Sequence, residues 1–537
     1  VSSDCAVRVA ELLEQFGAPD TDVAWLLCDR HPPSDRALTI VDEGLSAVDY
    51  TYGELAESSR RAAAVLSELG VGRGDRVATL MGKSAELVTV VLGIWRLGAV
   101  YVPLFTAFAE DAIGSRLADA AVRLVVADSD QQAKVPAGDW KLIIADSAVP
   151  NGLSARLDAA VWRDIRSVPV GGDGPLVQMF TSGTTGKPKG VVHPVRYAAG
   201  WQSYLEFGLG VGPDSVFWCA ADPGWAYGLY TAIVAPLAAG VPTLLLRGGF
   251  SAAATWTVLK DRAVTDFTAA PTVYRGLRAG GLPVPQGLTL RRLSSAGEPL
   301  TPEVNGWSRF AFGLEVHDHY GQTELGMPIG FPHHPSVQRQ VLEGAMGTAL
   351  PGWEIAVLDE DNDAPVEPGR TGRLAIVVAG SPLMTFRGYV GGRGSDRFRA
   401  GGAYFLTGDI ASVDSESIVR FSARDDDVII MAGYRIGPFD IESTLLRHPV
   451  VREAAVIAGP DEVRGEVVEA FVVLAPDTAV TDALVGELQQ WVKQNYAAHA
   501  YPRRIHFVAS LPKTPSGKIQ RAQLRQRRRN EAGLGAR

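Results

Sequence analysis

The segment Met179-Phe180-Thr181-Ser182-Gly183-Thr184-Thr185-Gly186-Lys187-Pro188-Lys189-Gly190 gathers small hydroxyl residues, glycines and two lysines into one loop directly after the apolar run 176–180. Glycines let a backbone turn tightly enough to aim its N–H groups at phosphate oxygens. Hydroxyls add donors, and lysines offset charge that would otherwise repel an incoming carboxylate. These residue types point to a polyphosphate cradle and so to nucleotide chemistry. The Walker order G-x-x-x-x-G-K-[ST] is not met: Pro188 follows Gly186-Lys187, and that pattern's first glycine would fall at Thr181. A solvated Ser/Thr/Gly linker is the plain alternative. Adenine and ribose need a flat apolar slot with a few fixed donors and acceptors. Ser295-Ala296-Gly297-Glu298-Pro299 offers a close-approach glycine for one, although Gly-Glu-Pro is also an ordinary loop string.

The loop resembles the phosphate-binding signature of the adenylate-forming superfamily, which includes acyl-CoA synthetases, luciferases and the adenylation domains of peptide synthetases. Further segments agree in order and spacing, from Tyr50-Thr51-Tyr52-Gly53-Glu54-Leu55 to Lys518-Ile519-Gln520-Arg521, so the resemblance covers nearly the whole chain. It implies that Thr181, Ser182, Gly183, Thr184, Thr185, Lys187 and Lys189 hold ATP phosphates and that Gly297, Glu298 and Pro299 flank adenine. Within Tyr320-Gly321-Gln322-Thr323-Glu324 it puts Tyr320 and Gln322 at the nucleotide, Thr323 on phosphate and Glu324 on Mg2+, for which a carboxylate is a suitably hard ligand. Asp318 is implied in base recognition. Asp409, in Tyr404-Phe405-Leu406-Thr407-Gly408-Asp409, matches the family's ribose acid, whose two acceptor oxygens suit a vicinal diol. Arg424 is implied to complete the ribose or phosphate contact; an Asp409/Arg424 structural ion pair is the competing reading.

A carboxylate is a poor acyl donor, and the family solves this by adenylation: the carboxylate attacks the α-phosphate of ATP, pyrophosphate leaves, and the mixed anhydride is open to a thiolate. Positioning and charge neutralisation carry such chemistry. Lys518, in Leu511-Pro512-Lys513-Thr514-Pro515-Ser516-Gly517-Lys518, matches the catalytic lysine of the first step, with Lys513 the weaker claimant. In Ala432-Gly433-Tyr434-Arg435-Ile436-Gly437-Pro438, Gly433 is implied beside the pantetheine arm of CoA and Arg435 on the AMP phosphate. Lys493 matches a CoA-contacting cation, though taken alone it reads as a solvated helix residue. The segments Ala220-Ala221-Asp222-Pro223-Gly224-Trp225, Ala270-Pro271-Thr272-Val273-Tyr274-Arg275 and Pro460-Asp461-Glu462-Val463-Arg464-Gly465-Glu466 bring the resemblance nearest to medium-chain acyl-CoA synthetases and acetyl-CoA synthetase relatives. Trp225 and Ala226 are then expected at the acyl pocket. Gly321 stands where acetate-specific relatives carry a pocket-closing tryptophan. Glycine is expected to leave room, and at about 0.8 kcal/mol per buried methylene an open pocket favours longer acids. The expected reaction is ATP- and CoA-dependent thioester formation on a short branched to medium-chain acid, with an aromatic acid the nearest rival. A stand-alone enzyme loading a carrier protein and a non-catalytic nucleotide-binding regulator are the other readings. Leu325 in place of threonine, Ser422-Ala423 before Arg424 and an unusual 391–403 loop depart from the family pattern.

These groups need a scaffold, and 537 residues with 46% hydrophobic content exceed one core, so at least two domains are expected. Strand-like runs at 77–80, 124–127 and 142–145 alternate with helical patterns at 55–69 and 85–97. That is α/β order with largely parallel sheets. Further β-rich sequence follows at 354–359 and 372–378, with turns at Asp361-Asn362-Asp363 and Glu367-Pro368-Gly369. After Arg424-Asp425-Asp426-Asp427 the pattern restarts as a small α+β unit. From the resemblance, residues 1–423 form a large AMP-binding domain of two αβ-sheet subdomains plus a β-rich subdomain. Residues 424–537 form a mobile α+β lid, with Asp426 as its hinge. No membrane span is expected, since 88–97 is short and interrupted by Arg96. The start of the chain lacks the order of a secretion signal. Three scattered cysteines exclude a disulfide framework and a zinc site, which fits a reducing cytoplasm. A net charge of −9 disfavours nucleic-acid partners. The basic run 525–529 reads as a solvated helix end. Partners are then small molecules, namely the acid, ATP and CoA, with a homodimer left open.

Overall fold

The alternating pattern folds as it reads. Strands Arg76–Leu80, Leu124–Ala127 and Lys141–Ile144 lie side by side, and helices Tyr52–Glu68 and Ala85–Arg96 pack on each other and share one apolar core with these strands. The computed structural model describes residues 3–146, 149–150, 152–159, 165–181, 188–392, 394–431, 434–461, 465–476, 478–497, 500–513 and 518–531, without the side chains of Asp426, Ile430, Tyr434 and Arg435. Local chemistry sets the helix starts. Thr51 accepts from the Glu54 amide at 3.2 Å and Glu54 Oε2 accepts from the Thr51 amide at 2.8 Å. The Tyr50–Leu55 motif is therefore a capping box. Ser84 caps the next helix, accepting from the Leu87 amide at 3.1 Å. Arg96, the break in the apolar run, is buried and held by Asp29 at 2.6 and 2.8 Å and by Ser59 at 2.8 Å. Removing one partner of such a pair costs about 3–5 kcal/mol.

Two large sheets form the main body. One has six strands in the order Lys141–Ile144, Leu124–Ala127, Arg76–Leu80, Val100–Pro103, Pro175–Thr181, Lys189–Pro194. The other has nine, running from Thr348–Ala349 through Gly326–Gly330, Val316–Gln322, Arg292–Ala296, Asp266–Ala269, Phe217–Cys219, Thr243–Leu246 and Arg36–Val41 to Ala47–Thr51. The central neighbours are parallel and the outer ones antiparallel. One apolar core joins helices and strands of both sheets, including Trp95, Tyr101, Trp201 and Tyr230. Thr181, Ala296 and Gln322 end their strands, so the phosphate loop, the Gly297 turn and the Tyr320–Glu324 segment sit at carboxyl ends, where α/β sheets hold ligands.

A five-stranded, mainly antiparallel sheet carries Tyr404–Val413 between Thr371–Val377 and Val419–Arg424. After the turn Asp425–Asp427 comes a smaller sheet of Ile429–Met431, Tyr434–Ile436, Val451–Asp461, Gly465–Leu474 and Arg504–Phe507. Helices Pro438–Leu446 and Asp482–Asn495 pack against each other beside its separate core of Ile441, Leu445, Val456, Val468, Leu488 and Val492. No helix among the described residues is long and apolar enough to cross a membrane. Cys5, Cys28 and Cys219 are free and buried.

Candidate active site

Strand pairing brings the two strongest motifs together. Asp409 lies opposite Arg424 in register, and Arg424 Nη1 stands 3.1 Å from Asp409 Oδ1. The other oxygen, Oδ2, accepts from the Tyr320 hydroxyl and from Gln322 Nε2 at 2.9 Å. Gln322 Nε2 also donates to the Thr407 carbonyl at 2.8 Å. Burial holds the Asp409 carboxyl above its ordinary value, opposed by Arg424, Tyr320 and Gln322. The ion pair weighed from sequence is thus present, built into a four-residue cluster that spans two sheets. Two buried polar atoms nearby, Gln322 Oε1 and Ser295 Oγ, have no hydrogen-bond partner among the described residues, and such atoms call for a ligand or water. Gly297 has φ +99°, and a Cβ placed there would meet no atom within 4 Å. The turn is open on that face. The Glu298 carboxylate is committed inward, accepting from Arg275 Nη2 and Thr272 Oγ1, both at 2.6 Å.

Glu324 is buried and accepts from the Tyr389 hydroxyl at 2.6 Å through Oε1. Lys189 Nζ stands 5.0 Å from the Tyr389 ring centre, tying the strand after the phosphate loop to the same residue. The Thr323 carbonyl is pinned by two donors, His193 Nε2 at 2.7 Å and the Tyr197 hydroxyl at 2.9 Å. Burial pushes His193 down to about 3, so the ring is neutral, and its contact with the carbonyl fixes the proton on Nε2. Asp318 is buried, accepts a long contact from the Leu300 amide at 3.4 Å, and is pushed up to about 8 by burial, against the pull of the backbone amides of Leu300 and His319. At neutral pH it is a carboxylic acid and can donate a proton to an acceptor.

Lys518 arrives from the small unit. It follows the bridge between Lys513 and Ile519 and the bond from the Gln520 amide to the Pro512 carbonyl at 2.9 Å. Its side chain is open to solvent, yet its ammonium is held below its ordinary value, first by loss of water among the surrounding walls. The field of Arg424 adds to this, against the pull of Glu298, Asp409 and Glu324. Lys513, the weaker claimant, is bound to Glu453 at 2.7 Å. Of the expected site residues, Ser182, Gly183, Thr184, Thr185, Lys187 and Gly433 lie outside the described residues, as do the side chains of Arg435 and Asp426.

Residues 27–390 match the model of the AMP-binding enzyme family, and residues 440–518 match that of the AMP-binding enzyme C-terminal domain. The chain belongs to the AMP-binding enzyme family. It is 35% identical over 531 residues to the acetyl-coenzyme A synthetase of Bacillus subtilis, covering 94% of this chain and 90% of that one. The crystal structure of an acyl-CoA synthetase from Brucella canis superposes with a TM-score of 0.75 at 41% identity, covering 98% and 99% of the two chains. A benzoate CoA ligase from Burkholderia xenovorans LB400 superposes with a TM-score of 0.82 at 29% identity, covering 94% and 100%. The protein is an AMP-forming acid–CoA ligase.

The wall beside the ligase's nucleotide motif differs from expectation at Gly321. A Cβ built there would lie 2.3 Å from Met327 Sδ and 2.2 Å from the Gly326 carbonyl oxygen, inside the 3.0 Å that real Cβ atoms keep. Glycine is what the close approach at 321 requires, because the hairpin that pairs Gln322 with Gly326 brings Gly326 and Met327 against it. Trp225 is wedged between Phe105 and Phe108 with ring centres 5.4 Å away in both cases, and its buried Nε1 has no partner among the described residues. With Ala226, Thr323, Met179 and Phe180 it lines a small cleft. Lys493 is apart from this cluster, 4.1 Å from the centre of the Tyr501 ring, whose other cationic neighbour is Arg503 at 3.8 Å. The run 525–529 is not simply solvated: Arg525 pairs with Asp427 at 2.5 Å and Arg528 with buried Glu469 at 2.6 Å. Tyr389, His193, Tyr197 and Met327 were missed in the sequence. Only His193, beside the lysine-rich loop, carried any local signal.

Proposed function

We propose that this ligase activates a carboxylic acid with an apolar tail as its acyl-adenylate and passes the acyl group to the thiol of CoA. The observation that carries the reading is the cluster of Asp409 with Arg424, Tyr320 and Gln322 across two sheets, with Lys518 near enough to feel the charges of Glu298, Asp409 and Glu324. In this reading Asp409 accepts from the ribose hydroxyls, and Tyr320, Gly297 and Pro299 flank adenine. Asp318 meets the base, and Thr181, Lys189, Thr323 and Arg424 hold phosphates together with the loop 182–187. Lys518 lies between carboxylate and α-phosphate. The carboxylate oxygen attacks phosphorus as the bond to the β-phosphate breaks and pyrophosphate departs. A thiolate then attacks the acyl carbon, and AMP leaves. Arg435, Gly433 and Lys493 serve the second step.

Glu324 fits Mg2+: it is a buried carboxylate held by the Tyr389 hydroxyl through one oxygen. No cluster of three metal-ligating side chains exists among the described residues. Magnesium commonly takes one or two carboxylates and completes its shell with phosphates and water. When bound it would neutralise phosphate charge. The lid is residues 424–537, turning near Asp426. Support comes from Asp427, which is bound into the small unit by Arg521 at 3.3 Å and Arg525 at 2.5 Å, so the pivot precedes it.

The test is pyrophosphate release with ATP and Mg2+ on acetate, butyrate, isobutyrate, hexanoate, octanoate and benzoate, with and without CoA. Acid-dependent release and a CoA thioester are expected. Release without thioester would move the acceptor to a carrier protein, and the absence of release with every acid would contradict the reading.

A further inference from the structure

Both ends of the strand Lys189–Pro194 lead to the Thr323–Glu324 pair. Its antiparallel pairing, Met179 with Val191 and Val177 with His193, turns Lys189, Val191 and His193 to one face. At the start, Lys189 stands over the ring of Tyr389, whose hydroxyl holds the Glu324 carboxylate. At the end, His193 reaches the backbone just before Glu324, its Nε2 donating to the Thr323 carbonyl at 2.7 Å. Tyr197, which opens the helix Tyr197–Ser203, donates its hydroxyl to the same oxygen at 2.9 Å. The Tyr230 hydroxyl in turn donates to His193 Nδ1 at 2.9 Å. His193 and Tyr197 stack with ring centres 4.0 Å apart, and Tyr230 stands edge-on to both. His193 and Tyr197 are 2% exposed, and Tyr230 is fully buried.

Packing alone does not call for this trio. Where both partners of a buried hydrogen bond are replaced by apolar groups of the same shape, stability changes little. What apolar groups cannot do is hold a carbonyl. A peptide is planar, so two donors on the Thr323 oxygen set the plane of the peptide that joins Thr323 to Glu324. That plane in turn sets the directions in which the two side chains leave the turn. We propose that His193, backed by Tyr197 and Tyr230, is a positioning residue for acid activation, aligning Thr323 with nucleotide phosphate and Glu324 with Mg2+. The inference rests on the acid–CoA ligase reading, in which Thr323 and Glu324 have those roles. His193 acts through the backbone, and its neutral ring brings no charge to compete with Lys189 or the metal.

His193→Leu removes the donor and keeps an apolar side chain in its place, whereas His193→Gln restores an amide N–H near the position of Nε2. The measurement is acid-dependent pyrophosphate release with ATP, followed against Mg2+ and against the acid. Misplacement of groups around a reacting centre is costly, so His193→Leu should lose about ten- to 100-fold in kcat. The Mg2+ concentration for half-maximal rate should rise while KM for the acid stays near that of the parent. His193→Gln should recover most of both changes. Tyr197→Phe, which keeps the ring and leaves the carbonyl to His193, should move both readings in the same direction by less. Parent-like kcat and Mg2+ dependence in His193→Leu overturns the proposal. So does a loss of rate that comes with unchanged Mg2+ dependence and no recovery in His193→Gln, which is the mark of packing. If His193→Leu fails to fold, Tyr197→Phe decides, and unchanged Mg2+ dependence there overturns the proposal. If the parent releases no pyrophosphate with any acid, the ligase reading itself has failed and takes this proposal with it.

Discussion

At the scale of single residues, the site depends on groups that hold other groups still. Tyr389 holds Glu324 through a hydrogen bond, and hydrogen bonds to charged groups are worth about 1.5–3 kcal/mol. Tyr389→Phe should lower pyrophosphate release roughly ten-fold or more and raise the Mg2+ concentration needed for half-maximal rate, with little change in Tm. Unchanged metal dependence would reduce the contact to packing. Asp318 makes a pH prediction whose sign follows from burial. Its carboxyl, raised from 3.8 to about 8, stays protonated in the folded chain while the unfolded chain ionises. Folding therefore takes up a proton between those values, and stability falls as pH rises through the window. Asp318→Asn removes that slope, so its Tm advantage over the parent should be larger at pH 8 than at pH 5. Residue identity was legible where a motif is contiguous, as in the Tyr320–Glu324 run. It was not where function depends on register: nothing near Gly321 in sequence says that Met327 fills its space, and nothing near Glu324 points to Tyr389.

Elements explain why separate motifs become one site. Asp409 and Arg424 meet because their strands are antiparallel neighbours, which the spacing allowed without requiring. The alternation of apolar runs identified the parallel strands and their helices because hydrophobic period is a local property. The order of strands across a sheet is not local, so the nine-stranded arrangement was out of reach. One sequence reading changed at this level: the basic end of the chain is partly buried, with Arg525 on Asp427 and Arg528 on Glu469. Glu469 is the anchor there: burial alone would raise it, but His506, Arg528 and Arg504 outweigh that and bring it to about 2. A lowered carboxyl stabilises the fold above its unfolded value near 4.5, and that contribution is lost as pH falls towards 2. Glu469→Gln should therefore destabilise the small unit at pH 7 by about 3–5 kcal/mol. The difference from the parent, read by denaturant unfolding, should shrink on acidification. The contact between units is equally specific. Gly437 passes so close to Ser422 that a Cβ would lie 2.4 Å from its carbonyl oxygen. Gly437→Ala should slow adenylate formation roughly ten-fold, while thioester formation from supplied acyl-adenylate changes less; equal loss in both half-reactions would argue against a role tied to this lid position.

The whole molecule is a body of three sheets, with the segments of the nucleotide motifs at strand ends, and a smaller unit with its own sheet and core. Fold class and two-part organisation were readable from composition and pattern, and the nucleotide motifs from their resemblance to a family. The length of the acid was not, because pocket depth is the sum of side chains drawn from several elements. The central claim is that Lys518 takes part in acid activation. The most direct measurement is acid-dependent exchange of labelled pyrophosphate into ATP without CoA, in the parent and in Lys518→Ala, alongside ATP binding. The account predicts exchange in the parent and a loss of roughly 100- to 1,000-fold in the variant, in line with removing one preorganised charge stabiliser, with ATP binding retained. Equal exchange in the two proteins would contradict it.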